Sequence, residues 1–360
     1  MNHFIMPIVI LVFISLAIWY TAYRLHAHFK FIPFWKLQIT TIIGLIGSLL
    51  VSAIAINFSN LFASFFNIAG GYIFLFFLYL FFSLAIVHII RIIFKPSLIW
   101  SGVAALAISF IAVFIGAVFA SSFSVNETEI KIKNLKKELT VMHISDVHIG
   151  HHRGQNYLAK IVKETNIQNP DLILITGDLV DVESSLKPGV LEPLSDFKAP
   201  VSFVEGNHEK HFGAERVLKL IGDHNIRILR NEVIETHDIQ LIGINYINMH
   251  RSGYAGDVKS VLKEISLKSD APSILISHSP AGVKYFEEAG IDLILAGHLH
   301  GGQFFPLFPL SKLSFSFTRG LYQYGNTKVF VSSGAGTSFM IRVRLGSFNE
   351  INLLKLIPDN

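Results

Sequence analysis

The stretch that decides the fold is "VMHISDVHIGHH", residues 141–152. Its first half is apolar enough to form a buried strand, and Asp146 and His148 follow directly at the end of that strand. Side chains at positions i and i+2 of an extended segment point to the same side. The carboxylate and the imidazole are therefore expected to share one pocket. Taken alone, such a pair is more often a hydrogen-bonded cap than a functional site.

Four further apolar segments end in residues that can bind a metal ion. They are "DLILITGD" with Asp178, "PVSFVEGNHE" with Asn207 and His208, "PSILISHSP" with His278, and "DLILAGHLHGG" with His298 and His300. Helix-like segments such as residues 155–168 lie between them. Continuous apolar strands that alternate with helices predict an α/β fold with sheets covered on both faces. Ligands of such sheets bind beyond the carboxyl ends of the strands, so these polar residues are expected to meet.

The residues at the strand ends form a candidate set of metal ligands. The set comprises Asp146, His148, Asp178, Asn207, His278, His298 and His300. Seven ligands are too many for one tetrahedral ion, and they suit two ions of manganese, iron or zinc that share a carboxylate, with manganese preferred. Two ions about 4 Å apart can bind a phosphate, activate a water and stabilise an in-line displacement. Gly177, Gly206 and Gly297 each precede a ligand and let the backbone turn sharply beside the ions.

The first third of the chain has a different composition from the rest. The 360 residues include no cysteine, which excludes disulfides and cysteine-bound zinc. Four long apolar runs lie at 4–20, 39–56, 72–90 and 98–120, and none contains Asp, Glu, Lys or Arg. Each run approaches the ~20 residues that span a bilayer, and charge-free spans favour an anchor over a transporter. We therefore predict an all-α membrane anchor of four transmembrane helices at 1–121 and a soluble domain at 122–360.

The charges of the chain predict its orientation and exclude one class of partner. Residues 1–121 contain no acidic residue and five basic ones, Arg24, Lys30, Lys36, Arg91 and Lys95, in the first and third loops. The positive-inside rule then places the soluble domain outside the cytoplasm, although four lysines between 131 and 137 argue the other way. The remaining residues carry 25 basic (30 less these five) and 26 acidic groups, a charge near −1. That balance does not support a nucleic-acid partner.

The order of the motifs resembles a known family. Asp-x-His, Gly-Asp-x-x-Asp, Gly-Asn-His-Glu, His and Gly-His-x-His together resemble the calcineurin-like metallophosphoesterase superfamily over about residues 138–356. The tail "VSSGAGTSFMIRVRLGSFNEINLLKL" further resembles a membrane-associated bacterial branch that includes relatives of the UDP-2,3-diacylglucosamine hydrolases of lipid A synthesis. The resemblance implies a two-sheet sandwich flanked by helices.

The same resemblance implies roles for individual residues. One metal would be bound by Asp146, His148, Asp178 and His300, and the second by Asp178 as a bridge together with Asn207, His278 and His298. His208 would face the substrate phosphate, and Asp181 would orient its imidazole.

Two other segments allow more than one interpretation. His151, His152 and Arg153 follow the first motif and belong either to a solvated loop or, as His151 and Arg153, to a site that contacts an anionic substrate. The segment "QFFPLFPLSKLSFSF", residues 303–317, follows the last motif. Its aromatic side chains either pack into the core or contact the bilayer surface and help a lipid-linked phosphate to reach the metals.

These observations predict a membrane-anchored enzyme in which a metal-bridging hydroxide hydrolyses a phosphodiester or pyrophosphate bond of a lipid-linked or cell-envelope substrate. The expected partners are the lipid bilayer and this phosphoester. One alternative is a phosphomonoesterase that acts on nucleotides or proteins. Another is a non-catalytic metal-binding scaffold or receptor. The absence of Asp178 or His208 would favour this alternative, but both residues are present.

Overall fold

The structure, a computed structural model, describes residues 5–58, 60–151, 153–248, 253–338 and 341–359. The chain divides into two units, one of residues 1–118 and 340–342, the other of residues 119–339 and 343–360. The helices at the start of the chain are α1 (Ile5–His28), α2 (Phe34–Ile42), a π-helical turn (Ile43–Gly47), α3 (Ser48–Ala55), α4 (Leu61–Phe94) and α5 (Leu98–Ala120).

Three of these helical segments are long and apolar enough to cross a membrane. They cover residues 34–55, 61–94 and 98–120. They correspond to the second, third and fourth apolar runs of the sequence. The first run begins at a residue outside the described ones and continues into α1. Its role as a fourth membrane span stays a prediction.

Polar side chains and small residues join α3 to α4 in the first unit. Ser52 Oγ donates to the carbonyl of Asn67 at 2.7 Å, and Asn67 Nδ2 donates to the carbonyl of Ser52 at 3.0 Å. A Cβ at Gly70 would collide with the backbone carbonyl of Ser48. Close backbone contact and buried reciprocal hydrogen bonds are what hold helices together where the surrounding solvent is apolar.

The second unit contains two six-stranded sheets. In spatial order, the first comprises β1 (Ser124–Ile132), β12 (Glu350–Pro358), β2 (Leu139–Ile144), β3 (Leu172–Ile175), β4 (Val201–Phe203) and β5 (Ile226–Ile228). The second comprises β10 (Gly320–Tyr324), β11 (Thr327–Val331), β9 (Leu293–Ala296), β8 (Ser273–Ser277), β7 (Ile239–Ile244) and β6 (Glu232–Thr236). The strands β2 to β5 run parallel, as do β7, β8, β9 and β11.

Apolar side chains of both sheets face each other across the middle of the unit. Leu174 and Val141 from the first sheet and Ile274 and Leu295 from the second belong to one buried cluster. The outer faces are covered by α6 (Gln155–Gln168), α8 (Ala214–Gly222), α9 (Tyr254–Glu264) and α10 (Val283–Glu288). The predicted α/β sandwich of two sheets flanked by helices is therefore confirmed. The five strands that the sequence predicted to end in polar residues are β2, β3, β4, β8 and β9.

Candidate metal centre

The carboxyl ends of β2 and β3, from the first sheet, and of β9, from the second, meet at one rim of the sandwich. The backbone N–H groups of Asp146 and His148, which follow β2, donate to the carbonyls of Gly177 at 3.1 Å and Asp178 at 3.0 Å, which follow β3. From the second sheet, the backbone N–H of His298 donates to the carboxylate of Asp146 at 3.0 Å. The loops that carry the polar residues therefore fix each other's positions across the two sheets.

Three groups of side chains at this rim could each hold an ion, because the ligand atoms of each group lie within 4.8 Å of one another. The groups are Asp146 with His148 and His300, His148 with Asp178 and His208, and Asp178 with His278 and His298. Asn207, from the short helix α7 (Asn207–His211), lies beside the third group, with its Oδ1 3.1 Å from Nε2 of His278. All seven residues predicted as ligands thus lie together. Asp178 belongs to two groups, which is the position a bridging carboxylate would have.

The donor atoms at the rim fit a pair of divalent ions. Nε2 of His148 lies 3.1 Å from Nε2 of His300, and Nδ1 of His298 lies 3.0 Å from Nε2 of His278. Imidazole nitrogens converge in this way when their lone pairs share an ion. The carboxylates between them are buried, and buried charge is costly unless it is paired or coordinates a metal. Imidazole, carboxylate and amide donors together suit borderline divalent metals.

The backbone of the rim adopts a conformation that side-chain-bearing residues rarely take. The φ angles are 52° at Asp146, 50° at His148, 52° at Asp178, 74° at His298 and 50° at His300. Left-handed backbone at residues other than glycine costs about 1–3 kcal/mol each and persists only where the surrounding structure imposes it. Such positions cluster at functional sites, so their coincidence with five candidate ligands supports a functional role for the rim.

Known proteins are similar to this chain in sequence. Residues 139–302 match the calcineurin-like phosphoesterase family. An uncharacterized metallophosphoesterase of Aquifex aeolicus is 30% identical over 244 residues, which cover 63% of this chain and 91% of that protein. This chain belongs to the calcineurin-like phosphoesterase family.

Two further relatives are longer than the region they share with this chain. An uncharacterized metallophosphoesterase of Campylobacter jejuni is 36% identical over 217 residues, 59% of this chain and 58% of that protein. A transmembrane protein with metallophosphoesterase domain from Bos taurus is 34% identical over 237 residues, 61% of this chain and 53% of that protein. The match therefore spans little more than half the length of these two relatives.

Asp181, beside the candidate metal centre, contacts two imidazoles. Its Oδ1 accepts a hydrogen bond from Nδ1 of His148 at 3.1 Å and another from Nδ1 of His208 at 2.9 Å. A carboxylate that accepts from one ring nitrogen fixes the imidazole tautomer and leaves the other nitrogen available as a ligand or a donor. The sequence suggested this relation for His208. The contact with His148, a candidate ligand, was not anticipated.

Two imidazoles of the candidate metal centre have raised pKa values. Burial opposes protonation of His208, but the hydrogen bond to Asp181 and the charge of Asp178 raise its pKa to about 9. Burial likewise opposes protonation of His278, and the charge of Asp178 raises its pKa to about 10. Burial would raise the pKa of Asp181, yet the charge and hydrogen bond of His148 lower it to about 2. Carboxylates that stabilise imidazolium ions to this extent attract divalent cations for the same reason.

Glu209 holds the loops that carry the candidate bridging carboxylate. This side chain is fully buried, and its two oxygens accept hydrogen bonds from the backbone N–H groups of Gly206 at 2.7 Å, Asp178 at 2.9 Å and Leu179 at 2.8 Å. The carboxylate thus ties the loop after β3 to the loop after β4. Its oxygens are used by the backbone, so Glu209 positions Asp178 and is not itself among the candidate ligands.

Two of the predicted glycines are required by close approach. A Cβ at Gly297 would collide with the hydroxyl of Ser145 and the carboxylate of Asp146, and a Cβ at Gly206 would collide with the carboxylate of Asp178. Any larger residue at either position would displace a candidate ligand. The functional role of these glycines is therefore steric.

Arg344 is a residue of the site that the sequence interpretation missed. Its side chain is completely buried, and Nη1 donates to the carbonyl of His300 at 2.7 Å. The other nitrogens donate to the carbonyls of Ser333 and Gly336 and, at 2.8 Å, to Oδ1 of Asn349. The guanidinium thereby joins the C-terminal tail to the loop that carries His300. A charged residue inside the apolar stretch "IRVRL", residues 341–345, was the available signal.

The predicted substrate contacts after the first motif receive no such support. Arg153 is 5% exposed, and its guanidinium donates to Thr337 Oγ1 and to the carbonyl of Ala120, both at 2.7 Å. Its charge is therefore engaged in the fold. His151 is partly buried, and its contact with a substrate stays a prediction. His152 lies outside the described residues.

Proposed function

We propose that this chain is a membrane-anchored phosphoesterase that uses two divalent metal ions to hydrolyse a phosphodiester or pyrophosphate bond in a lipid-linked or cell-envelope substrate. The observation that carries the proposal is the shared position of Asp178 in two groups of candidate ligands. Family membership supports a phosphoester substrate, and similarity to a transmembrane protein with metallophosphoesterase domain supports the anchor. In this proposal residues 1–121 form the anchor with four spans, and residues 122–360 form the catalytic domain.

The two ions would be held by ligand sets that overlap at one carboxylate. The first set is Asp146, His148, Asp178 and His300, and the second is Asp178, Asn207, His278 and His298. When bound, two such ions, with manganese preferred, lower the pKa of a water and neutralise the oxygens of the transferring phosphoryl group.

The role of His208 follows from its hydrogen bond and its access to solvent. Asp181 holds Nδ1, and the opposite nitrogen, Nε2, lies 3.9 Å from Oδ2 of Asp178. The His208 side chain is 16% exposed, whereas those of His148 and His278 are fully buried. With its raised pKa, the imidazolium donates a hydrogen bond to a phosphoryl oxygen or a proton to the leaving oxygen.

The segment after the last metal motif supports a substrate at a membrane surface. Phe304 is 4% exposed and packs in the core, as one interpretation of the sequence expected. Phe305, Leu310 and Leu313 are 44%, 49% and 85% exposed, and the two leucines lie on α11 (Leu307–Ser314). Leu310 and Leu313 are three residues apart on one face of α11, and neighbouring exposed apolar side chains mark a contact with a membrane or another protein. Because the same chain carries apolar membrane segments, we assign this contact to the bilayer.

The proposal is tested by hydrolysis of bis-p-nitrophenyl phosphate with the purified full chain, stripped of metal and then restored with manganese. We expect turnover that requires manganese and is lost in Asp178→Asn. The matched control is Asp223→Asn, which alters an exposed carboxylate paired with Lys219 and should retain turnover. Cleavage of p-nitrophenyl phosphate alone would replace the diesterase with a phosphomonoesterase. Calorimetric binding of two manganese ions without cleavage of either ester would leave a non-catalytic scaffold.

A further inference from the structure

The ends of three helices of the first unit meet around basic side chains. Nδ1 of His28, the last residue of α1, donates to the carbonyl of Leu98, the first residue of α5, at 2.8 Å. Arg91, near the end of α4, donates through Nη1 to Ser101 Oγ of α5 at 3.3 Å. His88, one turn before Arg91, lies 3.4 Å from the hydroxyl of Tyr20 of α1. The loops 29–33 and 95–97 therefore lie at the same end of the helices.

We define the basic cluster as Arg24, His28, His88 and Arg91. Arg24 lies one turn before His28 on α1, and His28 and Arg91 both contact the first turn of α5, through Leu98 and Ser101. None of residues 1–121 is acidic, so no carboxylate from this part of the chain neutralises the two arginines. Like charges brought together without a counter-charge repel one another, and the repulsion grows where water is excluded. The positive charge of the cluster therefore attracts an anion from outside this part of the chain.

One face of α1 also presents polar atoms that nothing in the described part of the chain satisfies. Thr21 Oγ1, Arg24 Nε and His28 Nε2 are buried and have no hydrogen-bond partner among the described residues. Positions 21, 24 and 28 lie on one side of a helix. Thr21 is 0% exposed and His28 is 2% exposed. Buried polar groups are nearly always hydrogen-bonded in folded proteins, so these atoms indicate a polar ligand.

Ordinary anchoring of basic residues at the membrane surface does not account for this arrangement. Lys30 and Lys95 of these loops and Lys36 in the first turn of α2 are exposed, as expected of side chains that extend into the headgroup region. Thr21 and His28 point inward between helices. The 23-residue helix α5 begins beside them at Leu98, and the positive end of its dipole faces the same region.

We propose that the basic cluster binds a phosphate group, presented by an anionic lipid headgroup or as free phosphate, between the ends of α1, α4 and α5. A phosphate accepts hydrogen bonds from several donors at once, which suits two guanidinium groups and the hydroxyl of Thr21. Its charge also favours the imidazolium form of His28, which donates from Nε2 while Nδ1 remains bonded to Leu98. Basic pockets between membrane helices bind lipid headgroups by this chemistry. This site is separate from the proposed phosphoesterase centre and does not depend on it.

The intrinsic fluorescence of the chain reports on this unit selectively. All three tryptophans, Trp19, Trp35 and Trp100, lie in the first 121 residues. The full chain is assembled in nanodiscs of phosphatidylcholine alone, of phosphatidylcholine with phosphatidylglycerol, and of phosphatidylcholine with added inorganic phosphate. We expect the thermal midpoint followed by tryptophan fluorescence to rise by about 3 °C or more with phosphatidylglycerol, because a ligand that binds only the folded state stabilises it. A rise with inorganic phosphate alone would identify free phosphate as the ligand of the same site.

Matched variants distinguish specific binding at the basic cluster from general attraction of the positively charged loops to anions. Arg24→Gln combined with Arg91→Gln should abolish the rise, whereas Lys30→Gln combined with Lys36→Gln removes the same charge from exposed positions and should retain it. Each variant is compared with itself in neutral lipid, so a lower intrinsic stability does not obscure the shift. If the arginine variant does not assemble, Thr21→Val, which removes one hydroxyl, should reduce the rise. The absence of a rise with either anion, or an equal loss in the lysine variant, would overturn the proposal.

Discussion

One carboxylate oxygen of Asp181 accepts hydrogen bonds from His148 and His208, so a single substitution acts on both. In Asp181→Asn one of the charges that raise the pKa of His208 is lost together with the hydrogen bond to a carboxylate, while burial still lowers that pKa. A raised pKa keeps His208 protonated at neutral pH and lets it lose its proton as the pH rises through about 9. As the pH rises, the activity of the variant should therefore fall at a lower pH than that of the unmodified chain. Its kcat/KM at pH 7 should fall by about 10²-fold or more.

The measurement is the pH profile of kcat/KM for bis-p-nitrophenyl phosphate. Asp171→Asn is the matched control, because Asp171 accepts a hydrogen bond from the backbone N–H of Thr140 at the opposite end of β3, away from the rim. That variant should keep the profile of the unmodified chain. If activity falls at the same high pH in Asp181→Asn and in the unmodified chain, His208 is not the group whose titration causes the fall.

Arg344 provides a second prediction for a single residue. Arg344→Met keeps an apolar stem but removes the hydrogen bonds that the guanidinium donates to the carbonyls of His300, Ser333 and Gly336. Removing one partner of a buried charged network costs roughly 3–5 kcal/mol, and we expect a loss of that size in the free energy of unfolding. Manganese affinity should also fall about 10- to 100-fold, because groups that support a ligand tune its metal.

Denaturant unfolding and manganese calorimetry measure the two effects. The control, Arg216→Met, removes an exposed arginine that pairs with Glu183 at the surface, and should cost no more than about 1 kcal/mol without changing the metal affinity. Equal effects of the two substitutions would show that the buried hydrogen bonds of Arg344 have no special importance.

The seven candidate ligands could be predicted from the sequence because their positions follow from local rules. Apolar strands of three to six residues end just before them, and parallel strands bring such ends to one rim. Arg344 could not be placed in this way, since its contact with His300 joins positions 44 residues apart through the fold. The second hydrogen bond of Asp181, to His148, likewise depends on how the loops after β2 and β3 pack, and no spacing rule in the sequence specifies that geometry.

At the scale of elements, the apolar side chains of the segment 303–317 divide between buried and exposed positions. Composition alone does not show which of these side chains are buried, because burial depends on which face of the segment meets the sheet. Phe304 pairs with Leu345 of the C-terminal tail and is buried, whereas Leu310 and Leu313 of α11 are exposed. Substitution of Phe304 would thus test packing, and substitution of the leucines tests contact with a bilayer.

For α11 we predict that Leu310→Ser combined with Leu313→Ser lowers the ratio of activity on a vesicle-borne lipid phosphodiester to activity on soluble bis-p-nitrophenyl phosphate by about tenfold. Removal of two large apolar side chains weakens binding to an apolar surface by about 1.5–3 kcal/mol each at most, and partial burial reduces this. Leu321→Ser on β10, which is 41% exposed, is the control and should leave the ratio unchanged. An equal loss on both substrates in the α11 variant would argue against contact with the bilayer.

For the whole molecule, the order of the spans shows which loops lie on the same side of the bilayer, whether or not α1 crosses it. The segments 34–55, 61–94 and 98–120 follow one another, so the loop at residue 57 and the C-terminal domain share one side if all three cross the bilayer. The loop at residue 95 then lies on the opposite side. Basic residues occupy that loop and the loop between α1 and α2, and the positive-inside rule assigns both to the cytoplasm.

The absence of cysteine from the chain makes this topology directly measurable. Asn57→Cys, Lys95→Cys and Lys198→Cys each introduce one thiol at an exposed position. With a membrane-impermeant maleimide, we expect labelling of the first and third variants on intact cells, and labelling of Lys95→Cys only after permeabilisation. The reversed pattern would place the metal centre in the cytoplasm, and its substrate would then come from the cytoplasmic side of the membrane. Labelling of residues 57 and 198 from different sides would mean that either 61–94 or 98–120 does not cross the bilayer, since these are the two segments that separate the positions.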